Sequence, residues 1–216
     1  MSEESKEVEK PSLLGIITSP SVQFERIRER PLIWGAMSII IILFIIGAWL
    51  TSLSVEIEID EELQGFFEVI FTIFIIIGGI IGPLFGTLIT SVIHLLIAKM
   101  VQSKVSFRQL FSMNTYIMII SVLSMIVNGI ILTVIHVDSE KLPTSLGSII
   151  DAEGSLGAVL GSIEIFAIWG LILVAIGLHK VAGFSKGLAW TVSIAFFVIS
   201  IIFALIGAGI PPIEGI

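Results

Sequence analysis

An apolar run extends from residue 66 to about residue 100. As one helix its 35 residues measure roughly 52 Å, against a hydrocarbon core of about 30 Å. Four more runs, at about 32–53, 112–135, 155–178 and 188–207, approach or exceed the ~20 residues that a crossing needs. A soluble domain of 216 residues could not hide this much apolar surface when 56% of it is hydrophobic and only 13% charged. The runs do not alternate polar and apolar residues, which disfavours a β-barrel. The expected class is an all-α polytopic membrane bundle.

The run at 66–100 has two readings. It is either a hairpin turning near Gly82-Pro83, or a single helix kinked at Pro83. The cations decide. With a single crossing, ten of the eleven Lys and Arg residues share one side of the membrane, and only Lys141 lies on the other. A hairpin breaks that sorting. Cation-rich connections are cytoplasmic. The chain therefore reads as five spans, with a cytoplasmic N-terminus and the C-terminus outside. The inner segments hold ten cations and six acids, and the outer ones hold one cation and twelve acids. The net charge of −7 thus conceals a weakly basic inner face.

Residues 1–31 read as a cytoplasmic tail and an amphipathic helix. Ser19-Pro20 gives the start signal, with Pro in the first turn. Phe24, Ile27 and Pro31 make one face, and Arg26, Arg28 and Arg30 reach toward headgroups or partners. The polar start, Met1 to Lys10, lacks the features of a signal peptide, so no cleavage is expected. Residues 32–210 form the five-span domain, and 211–216 a short outer tail. A short helix is expected after Pro143, from Leu146, Ile149 and Ile150.

Few residues suggest chemistry. Gly78, Gly82, Gly86, Thr90 and His94 recur at every fourth position, a stripe suited to close helix packing. His94 at its end either acts as a polar gate in a substrate path or simply reaches the inner interface near Lys99. His136, Asp138 and Glu140 alternate in a manner that could bind a cation, but no fourth ligand is suitably spaced, so a solvated loop is the simpler reading. Glu68 and Glu164 complement positive helix N-termini. Asn114 and Asn128 are expected to hydrogen-bond between helices. The chain has no cysteine, which excludes disulfides, thiolate metal sites and Cys nucleophiles. Nucleophile, zinc-protease and P-loop motifs are missing. No basic stripe interleaved with aromatics suggests nucleic acid. The expectation is a non-enzyme without cofactor or metal.

Two stretches resemble the YIP-domain family of multi-span proteins. Residues 20–31 (PSVQFERIRERP) look like that family's P-x3-F-x2-I-x3-P approach to the first span. Residues 177–189 (GLHKVAGFSKGLA) look like its cytoplasmic turn before the last span. The opening KPSLLGIITSPSVQFERIRERP, with the chain length, is similar to one bacterial member of the family. That resemblance implies an accessory role in the plasma membrane beside an ABC exporter, in contact with its permease, ATPase and adaptor subunits. It also implies protection against a secreted toxic peptide. Membrane lipids and further copies of the chain are the other expected partners. The expected contact surfaces are the glycine stripe, the Arg26, Arg28 and Arg30 cluster, and the turn holding Lys180 and Lys186. The alternative is a small transporter or channel that itself moves a peptide, ion or lipid.

Overall fold

The computed structural model describes residues 9–53, 61–135 and 142–209, and of Glu61 and Glu62 only the helical backbone. Among the described residues every regular element is a helix: α1 (Leu13–Thr18), α2 (Pro20–Glu29), α3 (Trp34–Ser52), α4 (Glu61–Met100), α5 (Phe107–Ile135), α6 (Leu146–Ile149), α7 (Gly154–Gly161), α8 (Ile165–Lys180) and α9 (Lys186–Ala208). Local chemistry sets several of these ends. The Ser12 hydroxyl accepts the Gly15 N–H and caps α1. Pro20 stands in the first turn of α2, where a missing N–H costs nothing. Ser145 caps α6 and Ser185 caps α9.

Helices α3, α5, α9 and the Leu63–Met100 part of α4 are long and apolar enough to cross a membrane. Helix α4 is one continuous element that contains Pro83, so the single-helix reading holds. The predicted fourth span, 155–178, is interrupted. It is divided into α7 and α8, and the 16 residues of α8 measure only about 24 Å. The cause lies at Glu164. Its carboxylate accepts the Ala167 N–H at 2.9 Å and the Thr144 hydroxyl at 2.7 Å. The Leu146 N–H donates to the Ile163 carbonyl at 2.9 Å. A backbone committed to these partners cannot continue a helix through 162–164. Sequence hydropathy sees only apolar residues on either side.

Helix α5 is central, packing against α3, α4, α8, α1 and α2. Its buried residues run from Leu110 to Leu132. Helix α9 packs on α8 and α7, and α2 packs on α8 and α5. The apolar face of α2, expected to meet lipid, is covered by protein instead. Phe24 and Ile27 are fully buried among Met113, Leu178 and Val181. Gly177 makes that approach possible, since a Cβ there would meet Met113 Sδ at 2.8 Å and Phe24 Cε1 at 3.2 Å.

The basic segments gather at one end of the bundle. Gln109 Nε2 donates to the Arg28 carbonyl at 2.7 Å. Ser103 Oγ donates to the Ala182 carbonyl at 2.5 Å. Lys180 Nζ pairs with Glu25 at 2.5 Å. Ser112 Oγ donates to the Leu32 carbonyl at 2.8 Å, which brings the start of α3 to the same end. At the opposite end Thr133 Oγ1 lies 3.4 Å from the Leu50 carbonyl, and Asn128 meets Thr144. Helices α3, α4 and α5 therefore alternate in direction, as do α8 and α9. Lys141, the acidic segment 54–60 and the tail 211–216 lie outside the described residues.

Candidate functional site

Helix α4 turns one face into the bundle. Gly79, Pro83, Thr87, Ser91, His94 and Ala98 are buried on it. The small-residue seam within the chain thus runs one position beyond the predicted stripe. Gly78 and Gly82 are exposed, Gly86 and Thr90 are half-buried, and only His94 belongs to both rows. Close approach falls at Gly79, where a Cβ would lie 2.3 Å from Ile45 Cγ1. A Cβ at Gly78 would meet nothing within 4 Å, and one at Gly82 or Gly86 only Phe44 at 3.9 Å or Met118 at 3.7 Å. Gly78, Gly82 and Gly86 therefore leave a shallow groove on the outer surface of α4. Phe74 and Phe85 stand exposed nearby on the helix.

The lower part of the inner face is polar. Ser91 Oγ donates to the Thr87 carbonyl at 2.6 Å and accepts from Asn114 Nδ2 at 2.9 Å, joining α4 to α5. Asn114 thus forms the interhelical bond expected of it. His94 is fully buried, yet neither ring nitrogen has a hydrogen-bond partner. Asn114 is the polar side chain that faces the imidazole, but it closes no hydrogen bond to it. The ring leans on Phe196 with centroids 5.1 Å apart. Beside it lies a cleft of about 230 Å³ between α4 and the α8–α9 pair, where Thr90, Ser193 and Ser200 supply hydroxyls and Leu171, Val174 and Phe197 supply apolar surface. Buried polar atoms rarely lack partners, and the His94 imidazole, wholly shielded at the edge of this cleft, is an exception.

A second polar cluster closes the opposite end. Asn128 Oδ1 accepts from the Thr144 N–H at 3.0 Å, and the Thr144 hydroxyl lies 2.9 Å from Asn128 Oδ1 and 2.7 Å from Glu164 Oε1, so its one proton serves a single acceptor at a time, the nearer being the carboxylate. Asn128 Nδ2 donates to the Ser124 carbonyl at 2.9 Å. Sequence reading singled out Asn128 and Glu164 separately. It missed Thr144, which links them. The only available signal was a hydroxyl next to Pro143 in the outer loop.

The basic residues differ in their surroundings. Arg26 is paired with Glu9 and Lys180 with Glu25. Such exposed pairs contribute little stability, but they neutralise the cations as contact points. The Arg30 N–H donates to the Arg26 carbonyl at 2.7 Å. Arg28 and Lys186 are exposed, and Lys186 opens α9. His136, Asp138 and Glu140 lie outside the described residues, and among the described residues no group of three His, Asp or Glu side chains is placed to hold a metal.

Comparison with known proteins agrees with this architecture. The profile of the Yip1 domain matches residues 14–208. Membrane protein YknW of Bacillus subtilis (strain 168) is 39% identical over 217 aligned positions, covering 96% of this chain and 94% of the relative. No solved structure matches the chain. By both the profile and the relative, the chain belongs to the Yip1-domain family and is a multi-pass membrane protein.

Proposed function

We propose that this protein is a non-enzymatic accessory subunit of the plasma membrane that binds and helps assemble an ABC-type exporter, and so protects against a secreted toxic peptide. The observation that carries the reading is the open face of α4. Gly78 and Gly82 are not used for packing within the chain, although glycine in an exposed helix position costs about 1 kcal/mol relative to Ala. In lipid, small residues allow a neighbouring helix to approach and gain dispersion contacts. An exporter permease helix would fit the groove. The basic end of the bundle would face the cytoplasm, where exposed Arg28 and Lys186 attract acidic surfaces of an ATPase or adaptor. On this reading α8, with α7, completes a fifth crossing, which places the N-terminus inside and the C-terminus outside.

The test is co-purification from mild detergent. Leu at Gly82 and Gly86 should abolish capture of exporter subunits while membrane insertion and level stay normal. Capture equal to that of the unmodified protein would refute the seam. A second reading, a small transporter, draws on the His94 cleft. Uptake by purified protein in liposomes that is lost in His94→Phe would favour it over the accessory role.

A further inference from the structure

At the basic end of the bundle a cavity of about 850 Å³ opens between the segment leading into α1, the start of α3 and the first turns of α5. Two cations line it, Lys10 and Arg108. Neither pairs with a carboxylate among the described residues, unlike Arg26 and Lys180. The rest of the lining is apolar or aromatic. Trp34 and Leu14 are each 75% exposed at its rim, and Ile39 is half exposed one turn further along α3. Gly35 lies between Trp34 and Ile39 in the lining, and a Cβ placed on it would meet nothing within 4 Å. The wall is held in place, because the Tyr116 hydroxyl donates to the Pro11 carbonyl at 3.2 Å and the Ser12 N–H donates to Gln23 Oε1 at 2.8 Å.

We propose that this cavity binds one anionic phospholipid, with its phosphate between Lys10 and Arg108 and an acyl chain lying along α3 over Gly35 and Ile39. Charge complementarity selects the head, since two cations that pair with no carboxylate among the described residues face one cavity. The apolar strip selects a lipid over a soluble anion, because it begins at an exposed Trp, the residue that marks the headgroup level of a membrane helix. Gly35 leaves a trough that any side chain would fill. The site requires no exporter partner and stands apart from the α4 groove and the His94 cleft.

The test uses the full-length protein in detergent, offered equimolar dioleoyl-phosphatidylglycerol and dioleoyl-phosphatidylcholine, with retained lipid counted by native mass spectrometry. A basic residue near an anionic surface adds about fivefold to binding, so two cations give a preference for phosphatidylglycerol of roughly 25-fold. Lys10→Gln and Arg108→Gln should each remove about fivefold, and the pair should abolish the preference. Gly35→Phe should lower retention of both lipids alike, because it blocks the chain and not the charge. Inorganic phosphate should displace neither lipid. Equal retention of the two lipids by the unmodified protein would overturn the proposal, even if the double variant fails to fold. Displacement by phosphate with no effect of Gly35→Phe would assign the site to a free anion and overturn it equally.

Discussion

Replacing His94 with Phe distinguishes a working histidine from a structural one. The imidazole is fully buried and both nitrogens lack partners. A buried donor or acceptor left unsatisfied costs about 1–3 kcal/mol. A neutral ring carries one donor and one acceptor, so the native side chain is held at a cost of about 2–6 kcal/mol. Phe removes both polar atoms and keeps the ring pair with Phe196, now 5.1 Å between centroids, worth about 0.5–1.5 kcal/mol. Its extra volume can extend toward the adjoining cleft of about 230 Å³. Crowding takes back about 1–3 kcal/mol where a side chain cannot extend freely. From the middle of each range the expected net effect is stabilisation by about 2 kcal/mol, or a rise of roughly 4–8 °C in the midpoint of thermal unfolding for a chain of this length. The assay is intrinsic fluorescence against temperature for purified protein in detergent, with His94→Gln as the polar control. A fall in the midpoint for Phe would refute the reasoning, since it would mean that the imidazole nitrogens contribute bonds that hold the fold together.

Neighbouring glycines on α4 should behave oppositely. Gly79→Ala forces a Cβ against Ile45 and should cost about 1–3 kcal/mol, whereas Gly78→Ala meets nothing and should be neutral or stabilising by up to about 1 kcal/mol, both read by thermal unfolding. Phe24→Ala should cost about 3–5 kcal/mol and undock α2, seen as faster amide exchange over residues 20–29 with that of α5 largely unchanged. Thr144→Val removes the hydroxyl donor of Glu164 Oε1, while Asn128 Oδ1 keeps the residue 144 N–H, and should destabilise by about 1–3 kcal/mol, with new protease cleavage within 142–153 as the readout.

Much of the bundle could be read from the chain because bilayer thickness acts on composition directly. Length and apolarity located α3, α4, α5 and α9, and cation sorting ruled out a hairpin at Pro83. Ser19-Pro20 announced α2, and Pro143 the short α6. The faces of the helices were harder to read. Gly78, Gly82, Gly86 and Thr90 make one row of small residues, and Gly79, Pro83, Thr87 and Ser91 make another about 100° away. In lipid an exposed face is as apolar as a packed one, so hydrophobicity cannot choose between the rows. The partner's shape chooses, and here Ile45 of α3 takes the second row. The break before α8 was hidden for a related reason. It depends on Thr144 and Leu146, distant in sequence, reaching Glu164 and Ile163. The cavity at the basic end likewise unites Lys10, Gly35 and Arg108 from three separate segments, and no local pattern brings them together.

The assignment of the basic end to the cytoplasm supports every partner named above, and labelling tests it most directly. The chain has no cysteine, so single Cys variants report one position each. Ile149→Cys, at a side chain 72% exposed in the connection between α5 and α8, should react with a membrane-impermeant maleimide added to intact cells. Lys104→Cys, in the connection between α4 and α5, should react only after permeabilisation. Labelling of Lys104→Cys in intact cells with Ile149→Cys protected would contradict the account.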